Sequence, residues 1–384
     1  MVRIPGVLMV LLGVAATPTL ACTFCAENIR TLPTLRMQYA QAKAVYYGQL
    51  KNPRVDPRTD DVATDLYLTR ALKDTPARGN QNVLAIREYI PATGPVAPEF
   101  IAFFTLIDGK LHYTSGVPAS AATLNYLAGA VKLDTDAADS TTRLAYFFKH
   151  LASPDPVVAA DAFVEFARTP DGEITRSAKH FDAAVLRKLI ADEKTPSERL
   201  GVLAFLLGVC GTADDAAFLA RQLKAQPLSE RVRDAFGGLL AGYILLAPTD
   251  GWTFATAVLA NAKQPFSVRL STINTVRFFQ ATRGADYKAE ILQCCAALLP
   301  EGDLADQAIE DLRRWGYWEL TPEVLAQFPK PTHAAPIVRR SIVRYALSCP
   351  REEARAFIAQ LRQTDPKLVA TVEEQLQRLE ARPR

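Results

Sequence analysis

The sequence is poor in the residue types from which most metal and nucleophilic sites are built. It has only four histidines and six cysteines in 384 residues. It also lacks a phosphate-binding glycine loop, an HExxH helix and a Gly-x-Ser-x-Gly turn, which argues against the enzyme classes that these motifs define. A zinc site would need several ligands close together, yet the histidines are widely scattered, at His112, His150, His180 and His333.

Long apolar runs and a strong charge of one sign are also missing. No stretch reaches the roughly 18 uncharged apolar residues of a membrane-spanning helix, so we predict no transmembrane helix. The formal net charge of +3 is too small to indicate a nucleic-acid partner. No pattern calls for a cofactor or a metal. Hydrophobic residues make up 49% of the chain, which is enough for a large core.

The first 21 residues have the pattern of a secretory signal. Arg3 gives a positive start, residues 7–16 are apolar, and Thr19 and Ala21 place small residues before Cys22. We therefore expect residues 1–21 to be removed and the protein to be periplasmic or extracellular. Two alternatives stay open: a buried N-terminal helix, and a lipoprotein signal that places a lipid anchor on Cys22.

Residues 22–133 predict a β-rich module. An Asp108-Gly109 pair between two strands supplies the positive φ angles of a type I′ hairpin turn. The continuously apolar run before this pair predicts a strand that is covered on both faces. The pattern from Ala121 to Val131 predicts a helix that closes the module. Five strands predict a small barrel or sandwich. The predicted strands are Ala44 to Leu50, Thr64 to Leu72, Val83 to Ile90, Phe100 to Ile107 and Lys110 to Tyr113.

After a polar linker at residues 134–142, residues 143–384 follow a helical pattern with a recurring phrase. A Pro or polar turn precedes a helix whose apolar residues lie three and four apart. The spacings of 33 to 40 residues match one helical hairpin, which buries its apolar face only by stacking on the next. This predicts a superhelical solenoid, with an irregular helical bundle as the alternative. The positions in register are Val158, Glu198, Val232, Val268, Ala305 and Val338.

The phrases SPDPVVAADAFVEFA and QPFSVRLSTINTVRFF resemble HEAT repeats over roughly residues 140–365. The resemblance implies a multidomain α+β protein with an all-α HEAT-like solenoid, and it implies no chemistry. More weakly, the Cys pair, AKAVYYGQL, LTRALKD and FIAFF are similar to the OB-like module of netrins and tissue inhibitors of metalloproteinases. The chain departs from that family in its CxxC spacing. The whole arrangement resembles exported bacterial proteins.

Cys22 and Cys25 form the sharpest local motif. In an oxidising compartment they favour a structural disulfide or tether, with thiol exchange as an alternative. The resemblance to metalloproteinase inhibitors implies a further alternative, in which a mature N-terminus at Cys22 chelates a metal. Cys294 and Cys295 are adjacent on a predicted helix, so we expect only one of them to face the core.

A second candidate site is an Arg–aromatic cluster that could hold a ligand by stacking or by cation–π contacts. The alternative is that the rings wedge between repeats while the arginines lie over them in solvent. The candidate interaction surface comprises Arg313, Arg314, Trp315, Trp318, Arg339, Arg340 and Arg344.

These patterns predict an extracytoplasmic scaffold that presents the concave face of its solenoid to a protein or another envelope component. No residue is assigned a catalytic role. The alternative is a thiol-redox enzyme or a metalloprotease inhibitor that acts through Cys22 and Cys25.

Overall fold

The computed structural model describes Phe24 and residues 27–91, 96–134 and 139–380. Two short helices, α1 (Glu27–Thr31) and α2 (Leu35–Gln41), precede an antiparallel sheet in the order β3-β2-β1-β4-β5. The five predicted strands are therefore confirmed, but the predicted barrel or sandwich is wrong, because the strands form an open sheet. The strands are β1 (Ala44–Val55), β2 (Val62–Lys73), β3 (Val83–Ile86), β4 (Glu99–Ile107) and β5 (Lys110–Pro118).

Strand β4 is covered on both faces, as its apolar run predicts. Ile101 and Phe103 join the large core that the sheet shares with the helices, whereas Phe104 belongs to a second core on the opposite face. Leu84 of β3 and the partly buried Leu111 of β5 contribute to this second core.

The Asp108-Gly109 hairpin is confirmed. The two residues have φ angles of 49° and 73° and connect β4 to β5, whose last pair is Ile107 with Lys110. Both angles are positive, as a type I′ turn requires.

Helix α3 (Ala121–Val131) has the predicted bounds, and a capping box between Ser120 and Thr123 fixes its start. The next helix, α4 (Ser140–Phe148), begins inside the predicted linker. Its first turn is stabilised because the side chain of Asp139 accepts a hydrogen bond from the backbone N–H of Thr142. The linker is therefore shorter than expected at its C-terminal end, and residues 135–138 lie outside the described part of the chain.

Helices continue to the end of the described chain, and each repeated phrase coincides with α5, α8, α10–α11, α13, α15 or α17. None of the described helices is both long and apolar enough to cross a membrane. The helices are α5 (Pro156–Ala167), α6 (Asp171–Arg176), α7 (Ala183–Ala191), α8 (Ser197–Cys210), α9 (Ala213–Lys224), α10 (Glu230–Asp234), α11 (Phe236–Leu246), α12 (Pro248–Leu259), α13 (Phe266–Arg283), α14 (Lys288–Leu298), α15 (Ala305–Trp315), α16 (Thr321–Leu325), α17 (Pro336–Ser348), α18 (Glu352–Thr364) and α19 (Pro366–Glu380).

The predicted register holds at five of its six positions. Val158, Val232, Val268, Ala305 and Val338 are buried. The sixth, Glu198, is exposed, and the buried position of that helix is Leu200, two residues later. The expectation failed there because the Thr-Pro-Ser-Glu entry places two polar residues in the first turn of α8.

Helices α8 and α11 approach each other to backbone contact. A Cβ atom added to Gly238 would overlap Cα of Gly201, and one added to Gly208 would lie 2.5 Å from Cα of Gly242. Glycine at these crossing points lets the helices pack more closely than any larger side chain permits.

The adjacent thiols of α14 are both fully buried, so the expectation that only one faces the core is wrong. Helix α14 is covered on two sides, because it packs against both α12 and α15. Cys294 lies 3.4 Å from the hydroxyl of Thr256 on α12. Burial raises the pKa of the Cys294 thiol to about 12, which leaves it a neutral core side chain at neutral pH.

Candidate functional site

The candidate site centres on Glu310 of α15, a carboxylate surrounded by three arginines. Arg313 donates two hydrogen bonds to it, at 3.1 and 2.6 Å. Nε of Arg314 lies 3.4 Å from Oε1 of Glu310, and Nε of Arg344 on α17 lies 3.4 Å from Oε2. Burial opposes ionisation, but the hydrogen bond from Arg313 and the three positive charges hold the pKa of Glu310 below its ordinary value.

A second charged group forms the adjoining wall, between α13 and α15. Nε of Arg277 donates to Asp311 at 2.6 Å, and its two terminal nitrogens each donate at 2.9 Å, to Gln307 and Asn274. Asp311 is only 3% exposed, and burial raises its pKa although Arg277 opposes this shift. The pair therefore fixes the spacing of the two helices at this point.

Most of these residues line a groove of about 300 Å³ between α13, α15 and α17, namely Arg277, Gln307, Glu310, Asp311, Arg314 and Arg344. On the α17 side, Ile337, Ser341 and Arg344 follow one another along a single helical face. Ile337 is 59% exposed and Arg314 is 65% exposed. The groove thus offers an exposed cation beside an exposed apolar side chain, above a floor of paired charges. We call it the α15–α17 groove.

The predicted Arg–aromatic cluster is divided between different places. Arg313, Arg314 and Arg344 all lie beside Glu310. Of these three arginines, Arg314 and Arg344 line the groove. The Arg339 guanidinium lies 4.3 Å from the ring centre of Phe328, and Arg340 is exposed.

The two tryptophans pack against the core rather than forming an open stacking platform. Trp318 makes an edge contact with Tyr345 at 5.0 Å, and Trp315 makes one with Tyr317 at 5.7 Å. Gly316 separates them in the left-handed conformation, with a φ of 68°, and ends α15. The rings are therefore partly buried, but Arg313 and Arg344 bind Glu310 and do not lie over the rings in solvent.

Sequence reasoning missed Glu310, Arg277 and Asp311, which organise the groove. Each carries charge on a helix with ordinary amphipathic spacing, so its local pattern indicates only a solvated face. The usable signal was their separation: Arg277 and Asp311 lie 34 residues apart, as do Glu310 and Arg344. That separation lies within the predicted spacing of 33 to 40 residues, at which stacked hairpins would place side chains together.

Cys22 and Cys25, like the predicted signal segment at residues 1–21, lie outside the described residues, but Phe24 between the cysteines is described. Its ring centre lies 4.8 Å from that of Phe278 on α13 and 5.4 Å from that of Phe205 on α8. A Cβ atom at Gly201 would lie 3.2 Å from the carbonyl oxygen of Phe24. The absence of a side chain at Gly201 leaves room for this contact.

The residues that follow Phe24 are held by one face of α5. Arg168 donates to the carbonyl oxygens of Arg30 and Leu32, at 2.7 and 3.0 Å. Glu165 binds Arg36 through two hydrogen bonds, at 3.2 and 2.9 Å. These two residues, at the C-terminal end of α5, therefore bind both backbone and side chains of an N-terminal segment of the same chain.

The same face carries a buried carboxylate, Asp161. It accepts hydrogen bonds of 2.7 Å from the backbone N–H of Leu35 and from the hydroxyl of Tyr126. Burial raises the pKa of Asp161 to about 6, and Glu165 adds to the shift, whereas the two hydrogen bonds and Arg36 oppose it.

In the described part of the chain, no three His, Cys, Asp or Glu residues lie close enough together to hold a metal ion. No protein-family model matches the chain, and searches of curated proteins and of solved structures found no similar protein.

Proposed function

We propose that this chain is an exported interaction scaffold, in which a HEAT-like solenoid binds a segment of a protein partner in the α15–α17 groove. The carrying observation is that this groove is built partly on α13, a helix that also contacts a peptide segment, namely the chain's own N-terminal residues, through Phe24. In this proposal an OB-like N-terminal module supplies a second contact or an anchor.

Contacts one repeat apart support the solenoid. Side chains or carbonyl groups separated by 34 to 38 residues meet repeatedly along the helical part, as expected when each hairpin stacks on the next. The pairs are Gly237 with Thr275, Thr256 with Cys294, Arg269 with Asp303, Arg277 with Asp311 and Glu310 with Arg344.

Helix α13 connects the occupied surface to the open groove. Phe278 contacts Phe24, and the preceding residue, Arg277, lines the groove. The same helix therefore contributes to the contact with Phe24 and to the groove. This shared helix favours a partner segment that lies along the same row of helices.

The exposed groups of the groove define the chemistry of the partner. Arg314 is the most exposed cation of the groove and shares Glu310 with two other arginines. Its positive charge is therefore only partly neutralised, and its guanidinium can bind a carboxylate of the partner. Ile337 offers apolar surface close by. We therefore expect a segment with an acidic side chain next to an apolar one.

The proposal is tested by cross-linked affinity capture from the envelope fraction with the wild-type protein and two variants. Arg314→Glu reverses the charge in the groove, and Arg355→Glu makes the same change at an exposed arginine of α18. A stoichiometric partner should be lost with Arg314→Glu and kept with Arg355→Glu. Equal recovery with both variants would contradict the groove as the binding site.

A further inference from the structure

A second cavity, of about 220 Å³, lies between α5, α7 and α8 at the other end of the helical part. Its walls are apolar where Leu151, Phe163, Leu189 and Leu203 line it. None of these residues belongs to the α15–α17 groove, so the cavity is independent of the proposed partner site.

One wall of this cavity carries a cation that the described residues leave unpaired. Arg199 of α8 is partly buried, and its guanidinium carbon lies 5.5 Å from the ring centre of Phe163. Among the described residues, no side chain or carbonyl group makes a hydrogen bond or ion pair with the guanidinium of Arg199. Burial lowers the pKa of Arg199, and the nearby charge of Glu198 only partly opposes the shift.

A partly desolvated guanidinium without a counter-ion is unfavourable, and a bound anion would remove that cost. By contrast, the comparable arginine Arg231, on α10, donates to the carbonyl oxygens of Asp192 and Thr195 at 2.6 and 3.3 Å. Arg199 is therefore the nearby arginine whose donors remain open to a ligand.

The other polar groups of the cavity add a second cation and two hydroxyls. Lys194, Ser153 and Thr195 line it together with one acidic residue, Asp192. One oxygen of Asp192 accepts from the backbone N–H of Lys194 at 2.9 Å. The cationic side chains therefore outnumber the anionic one.

From this arrangement we propose that the cavity binds a small organic carboxylate. The carboxylate accepts the paired hydrogen bonds of the Arg199 guanidinium, and the apolar part of the ligand packs against Leu189 and Leu203. Apolar walls around a planar cationic fork favour a carboxylate with a short hydrocarbon chain over inorganic phosphate.

Isothermal titration calorimetry of the full chain with hexanoate tests the proposal. We expect saturable binding of hexanoate, and binding at least tenfold weaker for hexanol, which has the same chain without the charge. This comparison uses only the wild-type protein, so it does not depend on how a variant folds. Inorganic phosphate should bind more weakly than hexanoate.

Variants locate the site. Arg199→Met keeps the unbranched stem and should weaken hexanoate binding about tenfold or more, in line with the loss of a charged hydrogen bond. Arg221→Met, at an exposed arginine of α9, should leave it unchanged. Asp192→Asn removes the opposing carboxylate and should tighten binding. Unfolding midpoints measured by circular dichroism show whether each variant retains its structure.

Several outcomes would overturn the proposal. These are no saturable hexanoate binding, equal binding of hexanol, equal or tighter binding of phosphate, and unchanged hexanoate binding in folded Arg199→Met.

Discussion

Glu310 of α15 accepts a hydrogen bond from Arg344 of α17 at 3.4 Å, across 34 residues of chain. The contact joins α15 to α17 and lies on the wall of the α15–α17 groove. We therefore expect the contact to stabilise the packing of α15 on α17 and to maintain the shape of the groove.

A double-mutant cycle with Glu310→Gln and Arg344→Met should give a coupling energy of about 1 kcal/mol in urea unfolding. Both side chains are 17% exposed, so water screens their interaction only in part. The matched cycle uses Arg362 and Glu373, which are 58% and 39% exposed. That pair should give less than about 0.5 kcal/mol, and equal coupling in the two cycles would contradict the structural role of Glu310.

Arg277→Met should lower the free energy of unfolding by roughly 3 kcal/mol. The substitution leaves the Asp311 carboxylate, whose side chain is 4% exposed, without its guanidinium partner. Arg378→Met breaks a surface pair with Glu374, whose members are 76% and 61% exposed, and should cost less than about 0.5 kcal/mol. Urea denaturation of both variants measures the difference, and similar losses would be inconsistent with a buried pair at Asp311.

Gly238 is tightly packed and Gly172 is not, so replacement by alanine should change the free energy of unfolding in opposite directions at the two positions. Gly238→Ala places a Cβ atom in overlap with Cα of Gly201, so α8 and α11 must separate, and we expect a loss of about 3 kcal/mol. Gly172→Ala in α6 meets no atom closer than 3.6 Å and should stabilise the protein by about 0.5 kcal/mol. Thermal unfolding distinguishes them, and a neutral Gly238→Ala would contradict the close helix crossing.

Lowering the pH should raise the free energy of unfolding through Asp161. Its pKa is about 6 in the folded protein, above the ordinary value of 3.8 for an aspartate, so the folded state favours the protonated carboxyl. The resulting stability is complete below about pH 4 and is lost as the pH rises through 6. A difference of about two pH units, at about 1.4 kcal/mol each, gives an upper range of roughly 2–3 kcal/mol.

The matched variant for this prediction is Asp161→Asn, which keeps the shape and cannot titrate. Between pH 5 and 7.5, its free energy of unfolding should fall less steeply than that of the wild-type protein. Glu165, Arg36 and Tyr126 face the same carboxylate and are unchanged in both proteins. Parallel pH profiles of the two proteins would show that Asp161 does not carry this dependence.

Local patterns predicted the local structure well. The Asp108-Gly109 turn and the bounds of α3 follow from residues adjacent in the chain, and both are confirmed. Whether the sheet is open or closed into a barrel could not be predicted from local patterns. The number of strands does not determine whether the edge strands β3 and β5 pair. Glu198 was misplaced because the sequence spacing drifts by two residues at α8.

The groove was only partly predictable. Arg314 and Arg344 were singled out from their charge and spacing, but their shared partner, Glu310, was not. Burial of a carboxylate among three arginines depends on how α15 packs against α17, which no single segment of the sequence specifies. The buried Asp161 was missed for the same reason, since its partners come from α2 and α3.

Site-specific photo-cross-linking at Ile337 tests the central claim most directly. A photoreactive side chain replaces Ile337, which is 59% exposed in the groove, or Val96, which is 74% exposed beside the sheet. The account predicts one discrete cross-linked product from position 337 in envelope extracts, abolished by Arg314→Glu and absent from position 96. Cross-linking at position 96 alone, or at 337 regardless of Arg314→Glu, would contradict partner binding in the α15–α17 groove.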